Sequence, residues 1–312
     1  SASEYRPKNF NDMIGQDAIV KTLNNAIKND NTPQTLLFCG PHGVGKTSCA
    51  RIFAKKINNL EDDFEYNIFE LDAASNRGIE KMHSLLEQVR IPPQKGRYKV
   101  YIIDEVHGLT KDAITAFLKV LEEPPEHVVF ILATTEKNQI LPTILSRCQI
   151  YDFKKVDNES IIKLLSKICK EKKVKYEDGS LSLIAERSDG SIRDSLSIFD
   201  RLVSFTDSNL TISEVTSNLN VLDFNSYFKI SELISKKDIP GILNLYNDIY
   251  IKGFDDLNFL SGLSKHLREL LIHSLNSSDQ LSDYKNELSK RYLDHSKDIS
   301  NNNLISMIEI IN

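Results

Sequence analysis

Short apolar runs alternate with stretches of helical spacing in the first half of the chain. The apolar runs predict strands at residues 36–39, 66–71, 99–103, 128–133 and 149–153. Helices are predicted between them, at residues 17–28, directly after residue 45, and at 79–89, 112–122 and 140–145. Strands that alternate with helices form a parallel sheet covered on both faces. The pattern therefore predicts an α/β core over residues 1–155.

Beyond residue 158 the strand pattern disappears and only helical spacing remains. It predicts a small all-α domain at residues 156–208 and a second one at 209–312, which holds no catalytic constellation. Three histidines of the second domain, His266, His273 and His295, have partly polar helical surroundings and are predicted to be solvated. The helical pattern at 304–311 stops midway, so we expect this domain to be truncated.

A glycine-rich segment joins the first strand to the helix that follows it. Such a loop curls tightly enough to point several backbone N–H groups, and the positive end of a helix, at a phosphate. A chance glycine turn is the alternative, but the preceding strand and following helix favour a nucleotide site. The pattern G-x-x-x-x-G-K-[ST] is matched by Gly40, Pro41, His42, Gly43, Val44, Gly45, Lys46 and Thr47, with Ser48 next in the chain. Lys46 is predicted to reach the β- and γ-phosphates and Thr47 to bind Mg²⁺.

Two acidic residues, Asp104 and Glu105, follow the apolar third strand. At the carboxyl end of a buried parallel strand, Asp104 is placed to hold the Mg²⁺ that Thr47 contacts. Glu105 is placed to orient or deprotonate an attacking water. A solvated acidic turn is the alternative interpretation, and the phosphate loop upstream disfavours it.

Thr135 and Arg193 are weaker candidates. Thr135 ends the fourth strand, where a polar residue would lie beside the γ-phosphate, although a threonine that merely closes a strand fits equally well. Arg193 lies near a predicted helix start, where a cation is unfavourable unless it meets an anion. A solvated arginine paired with Asp189 or Asp194 is an equal alternative.

Composition narrows the class of protein. The 312 residues carry a net charge of −5, which excludes a globally basic nucleic-acid binder but leaves a local basic track open. The four cysteines include no C-x-x-C pair, so neither a disulfide framework nor a zinc site is expected. Cys39 and Cys49 are predicted to be small buried residues beside the loop. With no membrane-length apolar run and no signal peptide, the expected location is cytoplasmic, without a membrane partner.

The assembled motifs resemble one family, the gamma/tau (DnaX) motor subunits of the bacterial DNA polymerase III clamp loader. The resemblance covers residues 5 to about 205, in the family's order. It is weaker in the last third of the chain, which resembles the family only as a helical collar. The motifs that carry it are residues 5–7, 14–16, 40–47, 71–75, 103–107, 121–127, 133–135, 144–148 and 190–194.

This resemblance implies an AAA+ ATPase that binds ATP and Mg²⁺. It implies a RecA-like core at residues 1–155, a helical lid at 156–208 and a collar at 209–312 that holds subunits in a ring. Thr135 falls at the family's sensor-1 position and Arg193 at sensor 2. Arg147, in the Ser-Arg-Cys motif, corresponds to an arginine finger that reaches the ATP of the neighbouring subunit and gives about 10³–10⁵ in rate. The adenine is expected to contact Tyr5, Arg6, Pro7 and Ile14.

The resemblance also implies a set of partners, and the sequence differs from the family at a zinc module. The partners are the delta and delta-prime subunits, copies of the chain itself, the sliding clamp and primer–template DNA. Arg77, Lys81 and Lys111 are candidates for DNA contact, with an ordinary surface cation as the alternative for each. Bacterial members carry a four-cysteine zinc module where residues 58–67 have no cysteine, so a variant without zinc is expected.

Two other functions are consistent with parts of the sequence. A stator-like clamp-loader subunit would donate Arg147 without cycling ATP, but such a subunit is expected to have lost Lys46 or Thr47, and both are present. A Holliday-junction helicase motor would share the core, but the Ser-Arg-Cys motif and the Glu-Glu-Pro-Pro helix end at residues 122–125 argue against it. The favoured function is therefore ATP-driven opening, loading and release of the clamp.

Overall fold

The structure, a computed structural model, describes residues 4–59, 67–73, 75, 79–94, 96–219, 224–251, 254–275 and 287–311. The chain divides into two compact units, residues 1–210 and 211–312. Within the described ranges, every helix is too short or too polar to span a bilayer.

The first unit is built on a parallel sheet of five strands, β1 (Thr35–Cys39), β2 (Ile68–Asp72), β3 (Lys99–Asp104), β4 (Val128–Thr134) and β5 (Gln149–Asp152). Their order in the sheet is β2-β3-β4-β1-β5. Strands β1 and β4 pair side by side, with Thr35 opposite Phe130 and Cys39 opposite Thr134. The carboxyl ends of β1, β3 and β4 therefore meet at one edge of the sheet.

Helices cover both faces of this sheet, as the sequence predicted. Successive strand residues point to opposite faces, so Phe38 packs in a core with the first two helices, while Leu37 packs in a separate core with the next three. This two-sided burial explains why β1, β3 and β4 are apolar along nearly their whole length. The helices are α1 (Asp17–Lys28), α2 (Lys46–Asn58), α3 (Ile79–Val89), α4 (Lys111–Glu122) and α5 (Pro142–Leu145).

Three further helices complete the first unit: α6 (Asn158–Lys172), α7 (Asp178–Arg187) and α8 (Ile192–Phe205). The sequence predicted no strand after residue 158, and the structure corrects this with a short parallel pair, β6 (Lys175–Tyr176) and β7 (Asn209–Leu210). Each of these strands has two residues, which is too few to leave a periodic signal in the sequence.

The second unit is helical in its described part. It has its own apolar core around Phe228, Leu267 and Leu304. Its helices are α9 (Ile212–Leu219), α10 (Phe224–Ser235), α11 (Ile239–Ile251), α12 (Asp256–Leu275), α13 (Glu287–His295) and α14 (Asn301–Ile311).

The predicted solvation of His266 is wrong, because this side chain lies inside the core of the second unit and is 3% exposed. The Ser231 hydroxyl donates to the Phe228 carbonyl oxygen at 2.9 Å, so its oxygen accepts from His266 Nε2 at 3.2 Å. His266 Nδ1 then accepts from the Tyr292 hydroxyl at 3.0 Å. Both ring nitrogens are thus satisfied in the neutral form.

Candidate nucleotide site

The phosphate loop lies between the end of β1 and the start of α2, at the carboxyl edge of the sheet. Gly40 donates its N–H to the Thr134 carbonyl oxygen at 3.2 Å, which ties the loop to β4. Gly40 and Gly43 both have positive φ, +145° and +71°. A Cβ at Gly43 would also come within 2.0 Å of Ser191 Oγ. Glycine is required here by backbone conformation and by space.

Lys46 is buried at the first position of α2, with 6% of its surface exposed. Its ammonium donates to the carbonyl oxygens of Gly40 at 2.6 Å and Pro41 at 2.7 Å. Burial lowers the pKa of Lys46, and the carboxylates of Glu105 and Asp104 oppose that shift. An ammonium has three donors, so the loop uses two of them and one remains for a phosphate oxygen.

Thr47 and Asp104 meet beside this lysine. The Thr47 hydroxyl donates to Asp104 Oδ2 at 2.7 Å, and Asp104 Oδ1 accepts the Glu105 N–H at 3.0 Å. In the part of the chain that the structure describes, no group of three or more His, Cys, Asp or Glu residues is arranged to hold a metal. A hydroxyl and one carboxylate fit Mg²⁺, which takes few protein oxygens and keeps waters and substrate phosphates as its other ligands.

Glu105 lies just beyond β3 in the left-handed backbone region, with φ of +49°. Its Oε2 accepts from the Thr135 hydroxyl at 3.1 Å. Its Oε1 is 3.5 Å from Nδ1 of His42, a largely exposed residue of the phosphate loop. The predicted base and the predicted sensor threonine are therefore in direct contact across the tips of β3 and β4.

A cavity of about 500 Å³ opens above the loop. The N-terminal segment forms one wall, the loop and the end of β3 form the floor, and the start of α8 forms the opposite wall. Arg6 Nε donates to Ser48 Oγ at 3.2 Å, which fixes the segment to α2. The lining residues are Tyr5, Arg6, Pro7, Met13, Ile14, His42, Gly43, Val44, Gly45, Lys46, Thr47, Ser48, Asp104, Glu105, Ile192, Arg193 and Leu196.

Two cationic side chains, Arg6 and Arg193, line this cavity, and a third, Arg51, lies close enough to Arg6 to repel it. Burial, followed by repulsion from Arg51 and then Arg193, lowers the pKa of Arg6, against the attraction of Glu70 and Asp104. Arg51 is paired with Glu70. The concentration of positive charge beside an open cavity favours an anionic ligand such as a polyphosphate.

The start of α8 is docked on the phosphate loop. Arg193 donates its backbone N–H to the Gly43 carbonyl oxygen at 3.3 Å, and its side chain lines the cavity. The hydroxyl of Ser191 caps α8 by accepting the Asp194 N–H at 3.2 Å. Sequence reasoning assigned Ile192 and Leu196 to an apolar stripe of the helical core, and it missed Met13. Apolar residues that line a cavity and apolar residues of a core leave the same pattern in a sequence.

Arg147 does not belong to this cavity. It follows α5 on the surface, where its Nη2 lies 2.9 Å from Glu122 Oε1 and its Nη1 donates to the Thr143 carbonyl oxygen at 2.8 Å. The structure therefore separates this arginine from the other predicted site residues.

The candidate DNA contacts are described only in part. Lys111 is exposed at the first position of α4. Arg77 and the side chain of Lys81 lie outside the described residues, as do residues 60–66, which make up most of the segment 58–67 on which the expectation of a variant without zinc rests.

The sheet order, the phosphate loop and the docked helical segment define a nucleotide-binding protein with the AAA+ fold. The Thermotoga maritima RuvB Holliday junction branch migration motor matches with a TM-score of 0.58 and 22% identity, over 74% of this chain and 79% of that one. At this identity the likeness shows the fold alone.

Relatives found by sequence similarity show which family the chain belongs to. The Bacillus subtilis DNA polymerase III subunit tau is 34% identical over 99% of this chain and 58% of its own length. The Mycoplasma genitalium subunit gamma/tau is 40% identical over 83% of this chain and 47% of its own length. The subunit gamma of Buchnera aphidicola subsp. Baizongia pistaciae is 34% identical over 91% of this chain and 81% of its own length. The chain belongs to the DNA polymerase III gamma/tau family, and it spans about half the length of the first two relatives.

Two family models match parts of the chain. The model described as DNA polymerase III clamp loader subunit, ATPase lid domain matches residues 160–208, which contain α7, α8 and all of α6 except its first two residues. The model described as DNA polymerase III, delta subunit matches residues 65–157. That second segment contains β3, β4 and Arg147 but not the phosphate loop.

Proposed function

We propose that this chain is the ATP-hydrolysing motor subunit of a bacterial sliding-clamp loader. In this proposal it acts in the cytoplasm with the delta and delta-prime subunits and with further copies of itself. It uses ATP binding and hydrolysis to open the sliding clamp, load it on primer–template DNA and release it. Relatives named as DNA polymerase III tau and gamma subunits support this assignment.

The observation that carries the proposal is that Lys46, Thr47, Asp104 and Glu105 all line one cavity. Lys46 would neutralise the β- and γ-phosphates. Thr47 and Asp104 would hold Mg²⁺, which when bound supplies charge neutralisation to the phosphoryl oxygens. Glu105, with one oxygen held by Thr135, would orient the attacking water and accept its proton. A subunit that does not cycle ATP has no use for this complete set.

Arg147 supports activity that depends on assembly. Because its guanidinium lies outside the cavity, on the surface and paired with Glu122, we assign it to the nucleotide of a neighbouring subunit. There the cation would stabilise charge on the transferring phosphoryl group, an effect of about 10³–10⁵ in rate for arginine fingers.

Steady-state ATP hydrolysis by the chain alone, and then with partner subunits, clamp and primed DNA, tests the proposal. We expect a low rate for the chain alone and a large increase on assembly. Arg147→Ala should remove about 10³-fold of the assembled rate and leave the nucleotide affinity of the isolated chain unchanged. A rate that does not depend on assembly, or on Arg147, would contradict the trans assignment.

A mixing experiment separates action in trans from action in cis. Assemblies containing only Lys46→Ala chains or only Arg147→Ala chains should be inactive. A mixture of the two should recover part of the activity, because an intact loop on one chain can meet an intact arginine on its neighbour. Recovery is impossible if each arginine serves its own nucleotide.

A second function, a scaffold that donates Arg147 without cycling ATP, is favoured by one observation. The match to the delta subunit covers residues 65–157, which include Arg147 but exclude residues 40–47. Measurable ATP binding with no hydrolysis in any assembly would support this scaffold and overturn the motor.

A further inference from the structure

His107 lies next to the proposed base but has no part in the function described so far. It belongs to a short 3-10 turn, Val106–Gly108, that begins directly after Glu105. Its Nδ1 is 2.9 Å from Thr134 Oγ1 and 3.4 Å from Glu105 Oε2. The side chain is 22% exposed. It therefore links the turn after β3 to the tip of β4, beside the carboxylate.

The neighbours of His107 favour one position for its ring proton. Thr134 Oγ1 already accepts the Glu136 N–H at 3.0 Å and retains a second lone pair. A bare nitrogen lone pair at Nδ1 would face the negative Glu105 Oε2, whereas an N–H at Nδ1 is attracted to it. The arrangement favours the tautomer with the proton on Nδ1, which is donated to Thr134 and lies against Glu105.

We propose that His107 is a positioning residue that fixes the carboxylate of Glu105 for hydrolysis. The left-handed backbone of Glu105, with φ of +49°, places this residue outside any regular element that would orient its side chain. The Thr135 hydroxyl instead donates to Oε2. His107 Nδ1, whose N–H is donated to Thr134, lies 3.4 Å from the same oxygen and attracts it electrostatically. The other oxygen, Oε1, then lies on the side of the phosphate loop, near His42. This is where the attacking water must bind.

This role rests on the proposed function, because it requires Glu105 to act on the attacking water. Residues that orient a reacting group typically change rates by about 10–100-fold. They need not change substrate affinity, because they act on the reaction step. His107→Phe keeps a planar ring but removes the donor at Nδ1. His107→Asn is the matched variant, because the side-chain amide can place an N–H close to the position of Nδ1.

The experiment measures kcat for the assembled loader and nucleotide affinity for each variant. We expect His107→Phe to lower kcat by about 10–100-fold with nucleotide affinity within about threefold of wild type, and His107→Asn to recover most of the loss. In a Glu105→Gln background, His107→Phe should leave the residual rate unchanged. A full kcat for His107→Phe, no recovery with His107→Asn, or a further loss in the Glu105→Gln background would each overturn the inference.

A second measurement separates this inference from the proposed function. If Glu105→Gln hydrolyses ATP at the wild-type rate, the proposed base is wrong whatever His107 does. The ¹⁵N shifts of the His107 ring report the tautomer without any hydrolysis. A proton on Nε2 alone would overturn the positioning role, and a proton on Nδ1 would support it.

Discussion

The two units of the chain each bury an ionisable side chain, Lys46 in the first and His266 in the second. Both are almost fully enclosed, with 6% and 3% of their surfaces exposed. Burial lowers the pKa of Lys46. It also lowers the pKa of His266 to about 4, with smaller contributions from His295 and Arg291. The same physical cause therefore acts in both places.

The surroundings of the two groups differ. His266 lies in a packed core, and Ser231 and Tyr292 satisfy both of its ring nitrogens. Lys46 lines an open cavity beside two carboxylates and has a donor left over. Burial of an ionisable group thus indicates a functional site only where unused hydrogen-bonding capacity faces a cavity. We interpret His266 as structural and Lys46 as functional.

Among the tests of this comparison between Lys46 and His266, the largest effect is expected for Lys46→Ala. The rate of ATP hydrolysis should fall to background. Nucleotide affinity should fall by at least about 100-fold, because a charge-assisted contact to phosphate is lost. Thermal stability should change little. Titration with a fluorescent nucleotide, together with a thermal unfolding scan, measures both. Lys163→Ala, an exposed lysine on α6, is the matched control. Equal nucleotide affinity in Lys46→Ala and Lys163→Ala would contradict the functional interpretation of Lys46.

The complementary experiment is His266→Ala, which should lower the stability of the second unit and leave the nucleotide site intact. We expect a loss of about 2–4 kcal/mol, because the change leaves a cavity and removes the hydrogen bonds that Ser231 and Tyr292 make to the imidazole ring. Amide hydrogen exchange should show the loss in peptides from residues 224–275, with nucleotide affinity within about twofold of wild type. Lys297→Ala, in an exposed surface pair with Asp294, should cost less than about 1 kcal/mol. A nucleotide-binding defect in His266→Ala would show that the two units are coupled.

The smallest expected effect is the pH dependence of the second unit. The folded-state pKa of His266, about 4, lies below its ordinary value of 6.5, so between these pH values the unfolded chain binds a proton that the folded chain does not. Stability should therefore fall as pH falls through this window, by about 1 kcal/mol between pH 6.5 and 5.5. Urea unfolding at several pH values should show this slope, and His266→Gln should lack it. An NMR titration that finds His266 protonated at pH 6 would contradict the structural interpretation.

Sequence reasoning succeeded where chemistry and spacing are local. The phosphate loop needs glycines, a lysine and a threonine at fixed positions, and Asp104 follows an apolar strand directly, so both are visible without a structure. Cys39 and Cys49 were likewise predicted to be buried, and both are. It failed at His266, because three histidines on amphipathic helices look alike until the packing of the helices is known.

The amino-acid sequence by itself determined the α/β character of the first unit, the phosphate loop and the acidic end of β3. Periodicity and motif spacing encode these features over a few residues. Only the tertiary structure decided the strand order, the contact between Glu105 and Thr135, the approach of His107 to both strand tips and the separation of Arg147 from the cavity. These depend on residues that lie far apart in the chain, and their side chains come together only when the whole sheet has been assembled.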